Sequence, residues 1–92
     1  MKTTLFSIYD QALGIYGPIF QSPTMEAGIR MFTDIVKFGE ENNRYRRHPQ
    51  DYTLHHIGYF DDESCEFESV TAATQLASAV DCVRELTQDK GE

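Results

Sequence analysis

The densest chemistry in the chain lies in five consecutive residues, Arg44-Tyr45-Arg46-Arg47-His48. Guanidinium groups pair with phosphates, and an aromatic ring between them can stack on an unpaired base. Proteins that hold single-stranded nucleic acid use this combination. Lys37, one or two helical turns upstream, adds a cation. Tyr9, Tyr16, Tyr52 and Tyr59 extend a stacking surface wherever they face outward. The candidate nucleic-acid-binding residues are therefore Lys37, Arg44, Tyr45, Arg46, Arg47 and His48. The segment is short, and two plainer readings stand beside this one: a solvated loop, or a basic rim that grips an acidic protein.

Other chemistries find less support. His55 and His56 are adjacent in a strand-like stretch, so their rings point to opposite faces and do not converge on one ion. Nothing in the sequence fixes His48 near either of them. Asp61-Asp62-Glu63 lacks the residue order of a calcium loop and reads as a solvated turn. No metal and no cofactor is expected. Nucleophilic catalysis needs an activated Ser or Cys beside a base and an oxyanion hole. There is no G-x-S-x-G, no P-loop and no G-x-G-x-x-G. Cys65 sits in an acidic stretch that would raise its pKa and dull it. Cys65 and Cys82 lack C-x-x-C spacing and read as plain buried or half-buried thiols, the alternative being a disulfide or metal role. The expectation is a binding protein, not an enzyme.

Composition narrows the class. The 92 residues make one domain, which buries only about 60–65% of its surface on folding and would gain from dimerisation. Hydrophobic content of 40% and aromatic content of 12% supply enough apolar surface for a core. No run is long enough to span a membrane. The start, Met1-Lys2-Thr3-Thr4-Leu5, has no signal-peptide character, which points to a cytosolic protein. The net charge of −7 opposes generic binding to nucleic acid or anionic membranes. Its distribution is uneven. Residues 24–50 carry five basic side chains against four acidic ones, whereas residues 51–70 carry six acidic ones and no Lys or Arg.

The elements that must position these groups read as follows. Leu5 to Tyr9 is a strand. Asp10 to Gly14 is a turn, with Gly14 free to take positive φ. Ile15 to Phe20 is a second, irregular strand, at an edge because of Pro18. Ser22 caps a helix with Pro23 in its first position, and Met25, Ile29, Phe32 and Val36 form its apolar stripe, widened by Ile35 and Phe38. Gly39 stops it. The opposite face carries the i,i+4 pairs Glu26–Arg30 and Arg30–Asp34. Glu40 to Asp51 is a polar loop. Tyr52 to Phe60 is the central strand; its alternation breaks, with Leu54 and Ile57 on opposite faces, so either Gly58 marks a bulge or both faces are covered. Asp61 to Ser64 turns into a short return strand, Cys65 to Glu68, with Phe67 inward. A last amphipathic helix, capped by Ser69 or Thr71, runs from about Thr71 to Thr87 with Ala72, Ala73, Leu76, Ala79, Val80, Val83 and Leu86 on its apolar stripe. Residues 88–92 fray. The predicted fold class is α+β, a small antiparallel sheet in ββαββα order with two packed helices, in a single domain over residues 1–92.

Several of these segments follow one another in a familiar order: Ser7-Ile8-Tyr9-Asp10, Tyr16-Gly17-Pro18-Ile19-Phe20, and Ala27, Arg30, Phe32 and Asp34 on the helix. Then come His48-Pro49-Gln50-Asp51-Tyr52-Thr53-Leu54 and Ile57-Gly58-Tyr59-Phe60-Asp61-Asp62. The chain resembles the nonstructural protein of gokushoviruses, small single-stranded DNA phages of the microvirus group. The run H-P-x-D-[YF]-x-L…I-G-x-[FY]-D-D is the most specific part. The resemblance covers residues 5–68 as a family-like core, with the last helix (69–87) outside it. It implies a DNA-binding protein, similar in role to protein C of the classical microviruses, acting when replication switches to single-stranded genomes for packaging. It also implies a protein of the infected host's cytoplasm that is absent from the virion. It supplies no catalytic or binding residues to carry over.

Two functional readings remain open. One is a binder of single-stranded DNA or of the replication complex. The other is an interaction module that docks on a phage replication or capsid protein or on a host factor, through the acidic 61–68 segment and the last helix. No membrane partner is expected. The alanine-lined helix makes a homodimer plausible on either reading.

Overall fold

The computed structural model of the chain describes residues 1–39 and 43–90. Its strands are β1 (Lys2–Asp10), β2 (Ile15–Tyr16), β3 (Phe20–Ser22), β4 (Tyr52–Asp61) and β5 (Glu66–Ser78). Its helices are α1 (Met25–Phe38), α2 (Arg44–Arg47) and α3 (Ala79–Lys90), and a 3₁₀ turn covers Pro49–Asp51. All strand pairings are antiparallel. The sheet order is β2-β1-β4-β5, with β3 also on the free side of β1. The expected α+β class and the central place of the Tyr52 strand hold. The ββαββα order is refined, because the irregular second strand divides into β2 and β3 around Gly17-Pro18-Ile19.

The core forms where α1 lies on β1 and β4. Phe6, Phe32, Val36, Leu54 and Ala79 are fully buried, with Cys82 beside them. Gly28 makes this approach close: a Cβ there would collide with the Phe6 ring. Phe20 stacks on the same ring at 5.4 Å. The helix begins two residues later than its sequence suggests. Thr24 is the N-cap, its Oγ1 accepting from the Ala27 N–H at 3.1 Å, and Pro23 precedes the helix. Ser22 is instead buried in β3. Gly39 ends the helix as expected, with an extended backbone (φ −69°). Gly14 does take positive φ, at 71°.

The expected irregularity near Gly58 is present. Ile57 is an extra residue in the β1 ladder, because Leu5 pairs with Gly58 while Phe6 pairs with His56. The bulge keeps His56 and Tyr59 together, ring centroids 4.9 Å apart, on the side of Phe6.

The C-terminal third departs most from expectation. Residues 71–78 are strand, not helix: β5 continues to Ser78, and α3 starts only at Ala79. Neither Ser69 nor Thr71 caps it; Ser78 Oγ accepts the Asp81 N–H at 3.2 Å. The cause is non-local. β4 is a long strand whose second edge must find partners as far back as Thr53, which pairs with Ser78. Ala72 and Ala73 therefore lie on an exposed edge strand, and the alanine-lined helix face offered for dimerisation does not exist. Phe67 points outward, 70% exposed. Both cysteines are free; Cys82 is buried as expected, while Cys65 is exposed in the β4–β5 turn with φ 63°. Helix α3 continues to Lys90, through part of the segment expected to fray, and residues 91–92 lie outside the described residues.

Candidate functional site

The stretch expected to be a polar loop is ordered around the arginines, apart from residues 40–42, which lie outside the described residues. Asn43 caps a single helical turn, its Oδ1 accepting from the Arg46 N–H at 3.0 Å. The turn closes through the His48 N–H, which donates to the Arg44 carbonyl at 2.9 Å. Pro49 then opens the 3₁₀ turn, whose last carbonyl, on Asp51, accepts from the Gln11 N–H at 2.7 Å. That bond ties the arginine turn to the β1–β2 hairpin. Arg44, Arg47 and His48 are exposed, and one helical turn places them on a common side; Arg46 is half-buried.

Tyr45 is the fastening residue. It packs against the core and meets Tyr52 edge-to-face at 4.9 Å. The expectation that it offers a free ring for stacking is therefore corrected: its position serves to hold the turn. Burial, with Asp10 nearby, pushes the Tyr52 hydroxyl above its ordinary pKa. Lys37 also departs from expectation. It faces α3 and is only 15% exposed, with Nζ 2.7 Å from Glu85 Oε2.

The remaining charges sort into two groups. Among the described residues, the N-terminal amine, Lys2, Lys37 and Arg84 pair with carboxylates. No described carboxylate pairs with Arg44, Arg46 or Arg47. Arg30 has no carboxylate partner among the described residues either, so the expected Glu26–Arg30 and Arg30–Asp34 bridges do not form. At the far end of β4 the acidic turn is partly neutralised, the N-terminal amine lying 2.7 Å from Asp62 Oδ1 and 3.6 Å from Asp61 Oδ1.

The other aromatic candidates do not join the arginine turn. Tyr9 and Tyr16, 4.7 Å apart, form a cluster with His55, which lies 5.4 Å from Tyr16 and 6.0 Å from Tyr9, on the face of the sheet away from Phe6. His55 Nε2 is hydrogen-bonded to the Thr53 hydroxyl at 2.8 Å, and burial holds its pKa below the usual histidine value. His56, on the opposite face, is buried with Nε2 3.1 Å from the Gly58 carbonyl.

Beside Arg44 opens a groove of about 480 Å³, floored by Ile8, Tyr45 and Tyr52 and walled by hairpin and helix residues. Leu13 (70%), Ile15 (56%), Met31 (42%) and Ile35 (40%) are exposed along its walls. Ile35 and the 73%-exposed Phe38 thus do not widen the buried stripe of α1. The signal lay in the sequence as two large aliphatic residues flanking Gly14, where a hairpin tip ordinarily carries polar ones.

No helix among the described residues is long and apolar enough to cross a membrane. Residues 3–82 match the model of the family described as phage ORF5 protein, extending the resemblance beyond residue 68 to all of β5 and the start of α3. The chain is 38% identical over 74 residues to protein ORF5 of Chlamydia phage 1, a gokushovirus, covering 78% of this chain and 77% of that protein. No solved structure matches. An alignment reaching from β1 into α3, at this identity and over most of both chains, places this chain in the phage ORF5 protein family.

Proposed function

We propose that this phage protein is a non-catalytic binder of single-stranded DNA, with Arg44, Arg46 and Arg47 on the phosphate backbone and His48 beside them. Its setting would be the replication or packaging of a single-stranded genome, in the host cytoplasm and outside the virion, as the likeness to gokushovirus nonstructural proteins implies. One observation carries the reading. In a chain of net charge −7, three arginines lie together on one ordered turn with no carboxylate partner among the described residues; four other cationic groups have one, and Arg30 on α1, which also has none, stands apart from the turn. An unpaired guanidinium, exposed at Arg44 and Arg47 and half-buried at Arg46, is ready for a phosphate without first breaking an ion pair. Tyr45 contributes by holding the turn, and Lys37 by holding α1 to α3.

The aliphatic groove beside Arg44 favours a second reading, docking on a phage or host protein, because aliphatic walls suit protein side chains better than bases. Fluorescence anisotropy of a labelled single-stranded oligonucleotide separates the two. Direct DNA binding requires affinity that falls steeply with salt and is lost in the Arg44/Arg46/Arg47 triple alanine variant. A folded protein with no affinity at low salt would sink the DNA reading and leave the protein partner.

A further inference from the structure

The two faces of the sheet are unequal. The helices pack on the side of Phe6, where Phe32, Val36, Tyr45 and Cys82 join its core. Partners in an antiparallel ladder share a face, and successive residues alternate. Lys2 and Asp10 therefore lie on the Phe6 side. So do Asp61, opposite Lys2, Glu66, opposite Asp61, and Glu68, opposite Tyr59. The Lys2–Glu68 ion pair, with Lys2 Nζ over the Tyr59 ring, agrees with that placement. These five are all the Asp, Glu, Lys and Arg residues of the strands, so the other face has none from any strand. It carries rings and aliphatic groups instead: Phe60 and Phe67 4.9 Å apart, Tyr9 and Tyr16, and Ile19 beside the buried Leu5. Phe67 is 70%, Ile19 62% and Tyr16 47% exposed. An antiparallel sheet left facing water ordinarily turns its polar residues outward. Here the charges are on the helix side and the rings face out.

We propose that two copies of the chain associate about a two-fold axis, uncovered sheet face against uncovered sheet face, with Phe67, Ile19 and Tyr16 in the contact. Charge selects the occupant. A single-stranded nucleic acid needs cations for its phosphates, and the strands offer none on this face. Two copies of net charge −7 repel unless they meet where the charges are not, and this face lets them do so. Shape agrees. Two identical sheets have twist of the same hand, so they stack about 10 Å apart with strands crossing at about 30°, and an isologous pair closes the assembly. The area is sufficient. β1 is nine residues long and four strands stand side by side, so the face measures roughly 30 by 15–20 Å in projection. Side-chain relief brings that toward the roughly 800 Å² per partner of a standard interface. The arginine turn lies on the Phe6 side and stays free in such a dimer, so the proposal stands whether or not the turn binds DNA.

Analytical sedimentation of the full chain tests it, with circular dichroism to confirm that each variant is folded. The wild type is expected to be dimeric at roughly 50 μM, because interfaces of this size hold at micromolar concentration or better. Phe67→Glu and Ile19→Glu, both at exposed positions, are each expected to raise the dimer dissociation constant about tenfold or more, since the axis places every added carboxylate in the contact twice. Phe38→Glu adds the same charge at a 73%-exposed position on α1, outside the face, and should leave the dimer unchanged. Raising NaCl from about 0.05 to about 0.5 M should leave the dimer as tight or tighter, because screening removes only repulsion. A monomeric wild type overturns the proposal and leaves the face to a different partner. It is overturned equally by folded Phe67→Glu and Ile19→Glu proteins that dimerise like wild type, by a folded Phe38→Glu protein that loses the dimer as they do, or by a dimer that salt loosens.

Discussion

The seam between β1 and α1 and the arginine turn are close in space and are held by opposite means. In the seam, Phe6, Phe32, Val36 and Leu54 are fully buried, and the helix comes so near that position 28 has no room for a side chain. In the arginine turn, one asparagine cap and one edge-to-face tyrosine contact hold four residues, three of them arginines that meet no described carboxylate. Folding depends on the seam. It does not require three unneutralised arginines within four residues, and the proposed function assigns them to a ligand. On the proposed function, the difference separates residues that set stability from residues that would set binding.

That separation can be broken at several points. Phe6→Ala should destabilise most, by about 3–5 kcal/mol, because a ring touching Gly28, Phe20 and His56 is replaced by a cavity; urea unfolding measures it. Gly28→Ala should cost about 1–3 kcal/mol by overpacking, although alanine is the better helix former. A stabilised Gly28→Ala protein would show that α1 can shift and that the seam is not tight.

His55 should make a smaller, pH-dependent contribution. Its folded pKa is depressed by burial below the ordinary 6.5. The unfolded chain therefore takes up a proton first as pH falls, so stability is fully present above the unfolded pKa and is lost as pH drops through the folded one. The urea midpoint should fall on going from about pH 7.5 to about pH 5.5, and His55→Gln should flatten that fall. An unchanged slope in the variant would assign the loss to other groups.

Least affected in stability should be the Arg44/Arg46/Arg47 triple alanine variant, at roughly 0.5 kcal/mol or less per site. Its expected defect lies in DNA binding, where removing three phosphate contacts should flatten the slope of log K against log salt by about 2. If this variant unfolds like Phe6→Ala, the two regions are not separable.

How legible each part was depends on how local its cause is. Helix α1 could be read from its apolar spacing, because Met25, Ile29, Phe32 and Val36 mark one face whatever packs against them. The bulge around Gly58 showed as a broken alternation. The arginine cluster was visible as composition, yet its members were not equivalent. Tyr45 packs on Tyr52 and Lys37 on Glu85, and both partners are distant or unremarkable in the sequence. The groove was missed because its walls come from the hairpin and from the flank of α1, segments that meet only in the folded chain.

By itself the sequence determined the α+β class, the strand cores of β1 and β4, the amphipathic helix between them, the uneven charge and the phage family, all of which rest on neighbouring residues or on order along the chain. Tertiary structure decided the rest. Residues 71–78 have apolar spacing compatible with a helix, but β4 had an unsatisfied edge that only a strand could pair. It likewise decided which cations are neutralised, because an ion pair such as Lys37–Glu85 depends on two helices meeting, and no local pattern encodes that meeting.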